Sequence, residues 1–329
     1  MGALADMPKK IVVVGSINID LVTSVLRMPR EGETVFGTGF AIYSGGKGAN
    51  QAVAAARLGA EVRMVGMLGN DTFGEQLRVL LETEGVLVDS VGTVVGPSGS
   101  ALIIVSAQGH NSIVVISGAN AGLGPGTIDQ YQAELKDAAI ILTQLETPLE
   151  TVERLAELAV KFEVPLILDP APARILPEHL LKNVAWLTPN ESETITLLNG
   201  MGISLQEPIK PVVAAKHLLK SGVRNVLLKL GPKGVFMAGK DVEPVHVPPF
   251  SVEPADTTAA GDAFNGGFAF ALSTGMKAFD AARFANAVAA VSVTRIGAQP
   301  SMPTYAEVSA LIASDVVGSL KLPGRSIRS

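Results

Sequence analysis

The chain has no cysteine in its 329 residues, which excludes disulfides, thiolate nucleophiles, zinc ribbons and iron–sulfur clusters, and suits a reducing compartment. Histidine is scarce as well. His110, His179, His217 and His246 stand apart, and no two have the H-x-x-x-H spacing that sets a pair of metal ligands on one helical face. Charged residues make up only 17%, below the usual share of about 25%. Lys plus Arg total 26 against 31 for Asp plus Glu, and no basic run exceeds Lys9-Lys10, so the electrostatic footprint of a nucleic-acid binder is missing. No apolar run approaches the ~18 residues of a membrane span. The stretch from Met1 to Lys10 lacks the apolar core and cleavage site of a signal peptide, and Asp6 stands where a myristoylation motif has Ser or Thr. The expectation is a soluble, cytoplasmic protein with neither nucleic acid nor membrane as partner.

Hydrophobic residues make up 47%, and a chain of this length buries roughly 75% of its unfolded surface, so a large dry core is available. Short β-branched runs at Ile11–Val14, Val62–Met67, Ala139–Leu142, Pro165–Leu168, Val184–Leu187 and Val226–Leu230 alternate with helical stretches. They are apolar on both faces, as strands of a covered parallel sheet are. Ala49–Leu58 reads as an alanine-rich helix, and Thr147-Pro148-Leu149-Glu150 reads as a capping box with proline at the first helical position. Repeated βαβ units follow, hence a doubly wound α/β fold. Two segments break the rhythm. About 17–43 and 96–117 read as antiparallel hairpins, the second turning at Gln108-Gly109-His110-Asn111. They are expected to pair as a small separate β-layer serving as lid or dimer interface. The chain reads as one domain, 1–329, with a frayed tail over 322–329.

Three motifs carry chemistry. In Val14-Gly15-Ser16-Ile17-Asn18-Ile19-Asp20 a buried strand delivers an amide and a carboxylate to its C-terminal end, where open α/β sheets hold ligands. The second and third glycines of a dinucleotide fingerprint are missing, which disfavours a dehydrogenase, and Asp20 either binds a ligand or starts a turn. Ser44-Gly45-Gly46-Lys47-Gly48-Ala49-Asn50 opens the alanine-rich helix but is no Walker A loop. Its glycines either let a ligand approach bare amides or simply permit a tight turn. The third, Asp256-Thr257-Thr258-Ala259-Ala260-Gly261-Asp262, places successive amides at a helix start, an anion hole aimed at developing phosphate charge. Asp262 adds negative charge where phosphate should sit. It is either a helix cap or a carboxylate placed to accept a proton from a nucleophilic hydroxyl.

With these motifs the sequence resembles the ribokinase-like sugar kinase family over Ile11 to about Met302. The resemblance rests on Gly45–Gln51, Gly69-Asn70-Asp71-Thr72-Phe73-Gly74, Asp169-Pro170-Ala171-Pro172-Ala173, Asn190-Glu191-Ser192-Glu193 and Asp256–Asp262, in order and at family spacing. It implies a three-layer α/β/α sandwich with a mostly parallel sheet and a small antiparallel β lid, usually joined lid to lid in a homodimer. It also implies ATP-dependent phosphorylation of a pentose, D-ribose at its 5-hydroxyl being the expected substrate, with Mg²⁺ and an activating K⁺. By this resemblance Asp262 is the catalytic base beside the Ala259, Ala260 and Gly261 amides. Asn18, Ile19, Asp20, Gly46, Lys47, Gly48, Ala49, Asn50 and Glu146 match sugar-contacting positions. Asn190, Lys229, Leu230, Gly231, Pro232, Lys233, Gly234, Gly261 and Asn286 match nucleotide-contacting ones. Asp256, Thr258, Ser292, Arg295, Gly297 and Ser301 match the monovalent-cation loops, where several ligands are backbone carbonyls, and Glu193 matches a position that reaches Mg²⁺ through water. Two positions depart from the family: Ala259, where glycine is frequent, and Lys229, where ribose-specific members often have threonine. The alternatives are a kinase for 2-deoxyribose, a hexose or a nucleoside, and a silent sugar-binding regulator, which should have lost the base or the anion hole.

Overall fold

A computed structural model describes residues 10–205, 208–240 and 242–319; the tail expected over 322–329 lies outside them. In chain order the strands are β1 (Lys10–Val14), β2 (Asn18–Val25), β3 (Gly37–Gly45), β4 (Glu61–Gly69), β5 (Val86–Leu87), β6 (Val91–Val94), β7 (Gly99–Ser106), β8 (Asn111–Ile116), β9 (Ile140–Thr143), β10 (Leu166–Leu168), β11 (Trp186–Leu187), β12 (Asn225–Lys229), β13 (Val235–Gly239) and β14 (Val245–Val247). The large sheet runs β14-β13-β12-β11-β10-β9-β1-β4-β5, with β6 also on β4. It is parallel from β12 through β4, and β13 and β14 add an antiparallel edge.

Strand periodicity divides the core in two. Along β1, Ile11 and Val13 face one cluster and Val12 and Val14 the other, all buried. The first cluster takes in the helices Lys47–Arg57, Ala260–Ser273 and Ala278–Ser292, and the second takes in Leu149–Lys161 and Pro211–Lys220. This is the expected three-layer sandwich, with strands covered on both faces because both side-chain sets are apolar. Among the described residues no helix is long and apolar enough to cross a membrane.

Small residues decide how closely the first helical layer packs. A Cβ at Gly266 would stand 2.6 Å from Ala54 Cβ and 2.8 Å from the Gln51 carbonyl, and one at Gly267 would meet Val288 at 2.8 Å. The Ala260–Ser273 helix therefore lies almost backbone to backbone on the Lys47–Arg57 helix, which brings the beginnings of both together. Trp186 fixes the sheet side of this packing, its ring edge-on to Phe268 at 5.0 Å.

The second sheet has the order β3-β2-β7-β8. Both hairpins are antiparallel, as expected, but their seam is not: β2 and β7 run parallel from Asn18↔Gly99 to Val25↔Ser106. Both of these strands leave the large sheet in the same direction, so the layer is a mixed sheet. The capping box expected at Thr147 does not form. Pro148 is extended and itself occupies the N-cap, its carbonyl taking the Thr151 amide at 3.1 Å, and the buried Thr147 hydroxyl has no partner among the described residues.

Candidate active site

Every chemistry-bearing residue of the first two motifs, and several more, stand at the C-terminal ends of parallel strands around β1, where strand order reverses. Gly46 crosses directly over the end of β1 with φ of 87°, and a Cβ there would lie 2.7 Å from the Asn18 nitrogen and 2.8 Å from the Ser16 carbonyl. A Cβ at Gly48 would likewise lie 2.7 Å from the Ser16 nitrogen. Only glycine allows this approach. The Ala49 amide then donates to the Ser16 carbonyl at 2.9 Å, docking the helix start on the strand end.

Asp262 is buried at the third position of the Ala260–Ser273 helix. It does not cap that helix. Ala259 occupies the N-cap in the left-handed region, φ 55°, with no side-chain cap, a conformation costing a non-glycine residue ~1–2 kcal/mol. The Ala260 amide turns back to the Thr257 carbonyl at 3.2 Å and drops out of the expected set, while among the described residues the Ala259, Gly261 and Asp262 amides have no backbone acceptor. The Asp262 carboxylate accepts from Asn50 Nδ2 and Gln51 Nε2, both at 2.9 Å. Burial pushes its pKa up and Asp169 adds to the rise; Lys47 and the two amide donors oppose it without cancelling it.

The residues expected to contact a sugar are brought together around the end of β1. Asn18 and Asp20 leave β1 on β2, in register with Gly45 and Tyr43 of β3. A Cβ at Gly45 would overlap the Asp20 carboxylate, so that glycine clears the space the carboxylate fills. Burial pushes Asp20 up to about 6, helped by Glu146 and Asp262, with Lys47 opposing. The Lys47 ammonium is penalised by burial, yet Asp262, Asp169, Glu146 and Glu193 raise it overall, so it stays charged. Glu146 accepts from the Ser16 hydroxyl and from the Lys47 amide at 3.1 Å. Ile19 and Ala49 are core residues and can meet a ligand only through their backbone.

The residues expected to contact a nucleotide line the neighbouring strand ends. Asn190 caps the Glu191–Gly200 helix in a full capping box: its amide donates to Glu193 Oε2 at 2.7 Å and its side chain to Oε1 at 2.8 Å. Both Glu193 oxygens are therefore engaged; burial pushes its pKa up, with Asp169 adding to the rise and Lys229 opposing it. Lys229, Leu230 and the Gly231–Lys233 turn extend from β12, with Gly234 at φ 84° packed on the Val247 carbonyl. Asn286 donates to the Val247 and Pro248 carbonyls at 3.3 and 2.9 Å. The two cation-motif loops also meet. Asp256 accepts from the Thr258 amide and hydroxyl and, across the gap, from the Gly297 amide at 2.9 Å. Arg295 pairs with Glu307 instead, and the Ser292 and Ser301 hydroxyls donate to the Ala289 and Ala298 carbonyls.

Sequence reasoning left four residues out of the site. Gln51 joins Asp262 to Asp169, its Nε2 lying 3.0 Å from Asp169 Oδ2, and Gln144 holds Gln51 from behind at 2.7 Å. Asn120 donates to Asn18 Oδ1 at 2.7 Å and accepts from the Ile17 amide. Gln51 and Asp169 stood inside motifs already singled out; Gln144 and Asn120 carried no signal in sequence.

Comparison with known proteins agrees with this geometry. Residues 8–305 match the pfkB family carbohydrate kinase model. The chain is 42% identical over 302 residues to the ribokinase of Haemophilus influenzae, covering 92% of this chain and 97% of that one. It is 40% identical to the deoxyribokinase of Salmonella typhi, over 89% of this chain and 95% of that one. The structure of Arabidopsis thaliana ribokinase complexed with ribose and ATP superposes with a TM-score of 0.85 at 34% identity, covering 93% and 98% of the two chains. On that match, and on a buried carboxylate set between the Asn18–Asp20 strand and an open helix start, this chain belongs to the pfkB family of carbohydrate kinases.

Proposed function

We propose that the chain transfers the terminal phosphoryl group of ATP to the 5-hydroxyl of D-ribose, giving ADP and D-ribose 5-phosphate. The observation that carries this reading is Asp262: a buried carboxylate, fixed by two amide donors, beside open helix-start amides and the Asn18–Asp20 strand. Asn18, Asp20, Lys47, Asn50 and Glu146 supply donors and acceptors for the sugar hydroxyls. Among the described residues Asn50 Oδ1 is buried without a partner, an acceptor left for a ligand hydroxyl. Asp262 orients the 5-hydroxyl and takes its proton as the oxygen bonds to phosphorus and the bridging P–O bond to ADP breaks. A raised pKa makes it a better acceptor than an ordinary carboxylate. The Gly261 and Asp262 amides face the charge developing on the transferred group.

Among the described residues no group of three or more His, Asp or Glu side chains gathers as a metal cage. The donors fit an Mg²⁺ ion that arrives on the nucleotide phosphates and keeps its waters, with Glu193 reached through water. Bound there, Mg²⁺ would neutralise phosphate charge. The Asp256 and Gly297 loops fit a K⁺ site built on backbone carbonyls. An ATP-using, cysteine-free enzyme suits the cytoplasm. The lid supports a homodimer: all of β8 is exposed, including Ile113, Val114, Val115 and Ile116, beside exposed Leu102 of the neighbouring β7, an apolar edge that a second lid would cover.

The test is ADP release over ribose, 2-deoxyribose, hexoses and nucleosides. Ribose should give the highest kcat/KM. The likeness to a deoxyribokinase makes 2-deoxyribose the second reading; turnover equal to that with ribose would favour it, because a site that hydrogen-bonds the 2-hydroxyl discriminates strongly against its loss. Val114→Asp should shift the sedimenting species from dimer to monomer.

A further inference from the structure

Lys229, the last residue of β12, reaches past the short β11 to Asp169 at the end of β10, Nζ to Oδ1 2.9 Å. The Asp169 side chain is 2% exposed and that of Lys229 12%. As a stabilising device this pair is a poor choice, since desolvating two charges offsets most of their attraction. Its position makes the choice poorer still. Lys229 Nζ lies 3.5 Å from where a Cβ on Gly261 would stand, so a cation sits at a helix N-terminus, where the macrodipole disfavours positive charge. An anion held between the ammonium and the open Gly261 amide resolves the conflict, and the transferred phosphoryl group is such an anion. Asp169 has a second tie: Gln51 Nε2 bridges its Oδ2 to Asp262 Oδ1, at 3.0 and 2.9 Å. Lys229, Asp169, Gln51, Asp262 and Asn50 thus form one hydrogen-bonded chain from the phosphate side to the sugar side.

We propose that Lys229 is a catalytic residue that donates to the transferring phosphoryl group, and that Asp169 and Gln51 are positioning residues, Asp169 aiming the ammonium and Gln51 tying that aim to the orientation of the base. This rests on the kinase reading above for the identity of the anion. A buried ammonium without Asp169 would swing or turn toward Glu193, the other carboxylate whose charge it senses. Asp169 without Lys229 would leave an unneutralised carboxylate next to phosphate. The two should therefore act as a unit.

The experiment compares Lys229→Met, Lys229→Arg, Asp169→Asn and the double Asp169→Asn/Lys229→Met variant in the full chain, with Lys229→Gln replacing the methionine variant if that does not fold. Lys229→Met should lower kcat on the order of 10²-fold, the scale for one lost transition-state donor, with ribose affinity unchanged. In calorimetry it should weaken a non-hydrolysable ATP analogue at least ~10-fold more than ADP, a charge-assisted hydrogen bond to the terminal phosphate being lost. Asp169→Asn should lower kcat and move the acidic limb of its pH profile down, one charge that raises Asp262 having gone. The double variant should be no slower than Lys229→Met alone, and Lys229→Arg should recover part of kcat. Equal losses of analogue and ADP affinity, or losses in the two single variants that multiply in the double, would overturn the proposal. The analogue-to-ADP ratio needs no sugar, so it tests Lys229 even if ribose proves not to be the substrate, whereas a wild type that turns over no sugar overturns only the kinase reading.

Discussion

Asn50 and Asp262 lie 212 residues apart in the chain and are joined by a buried hydrogen bond of 2.9 Å. Asn50 belongs to the first turn of one helix and Asp262 to the first turn of another, and the bond exists because Gly266 lets the two helices touch along Ala54. The same contact carries Gln51 to the other carboxylate oxygen. Both oxygens are thus held, and the carboxylate cannot rotate away from an incoming hydroxyl. Orientation of the Asp262 carboxylate, the base in the proposed reaction, is a property of helix packing.

Replacing Asp262 with Asn keeps the size of the side chain and removes the proton acceptor. It should lower kcat by ~10²- to 10⁴-fold, the range for general acid–base catalysis, while ribose binding measured by calorimetry stays near that of the wild type. Turnover near the wild-type rate would remove Asp262 from the chemistry.

Asp20 sets a pH dependence. Its pKa is raised to about 6 in the fold, so it loses its charge as pH falls through that value, and ribose affinity should drop roughly tenfold between pH 7 and pH 5, following the ionised fraction. Stability moves the opposite way. With the folded pKa above the unfolded one, the favourable contribution is complete below about pH 4 and lost as pH rises through about 6. Asp20→Asn should flatten the affinity profile and raise the melting temperature at pH 8 but not at pH 4. An affinity profile unchanged by the substitution would show that Asp20 does not hold the sugar.

Arg57 ties the end of the Lys47–Arg57 helix to the turn that precedes the C-terminal helix. It makes a two-pronged pair with Glu84 and donates to the Gln299 and Met302 carbonyls at 2.9 and 2.8 Å. Arg57→Ala leaves those acceptors unsatisfied and should cost about 2–3 kcal/mol in urea unfolding. A loss below about 0.5 kcal/mol would mean that water replaces the guanidinium without penalty.

The large sheet was legible because strands covered on both faces are apolar throughout, a pattern independent of distant partners. The Asp256–Asp262 and Gly45–Asn50 loops were legible for a related reason: glycine or small residues at a helix start answer a local backbone requirement. Long-range pairing was not. Nothing local distinguishes a parallel from an antiparallel seam between β2 and β7, since both present the same side chains to the core. Gln51 followed Asn50 in a recognised motif, but its role depends on Asp169, which lies 118 positions away. Asp71, in another recognised motif, proves to cap the Thr72–Thr83 helix through the Gly74 amide and to take the Ser98 amide and hydroxyl just before β7. That motif builds the base of the lid and contributes nothing to the chemistry described above.

The last prediction concerns the monovalent cation. Asp256 holds two loops together: the Thr258 amide and hydroxyl satisfy one oxygen and the Gly297 amide the other, while the Ala255 and Asp256 amides reach the Val293 carbonyl at 2.7 and 3.1 Å. Burial would raise its pKa, but these hydrogen bonds outweigh burial and hold it below the ordinary value, so it is charged at neutral pH. Arg295, the candidate in sequence to neutralise it, is committed to Glu307. Among the described residues no cationic side chain pairs with Asp256, and a half-buried carboxylate so placed favours a bound cation. The Ser292 and Ser301 hydroxyls are already donating to carbonyls, so the remaining ligands would be backbone oxygens of the two loops. Asp256 precedes Asp262 by six residues, and an ion there would stiffen the Thr257–Gly261 backbone without touching substrate, acting on kcat by preorganisation. K⁺ should therefore raise kcat several-fold over Na⁺ at constant ionic strength, with little change in the KM for ribose, and Asp256→Ala should abolish the difference. Equal rates with K⁺ and with a bulky organic cation would show that Asp256 acts only as the hydrogen-bonded clasp between its loops.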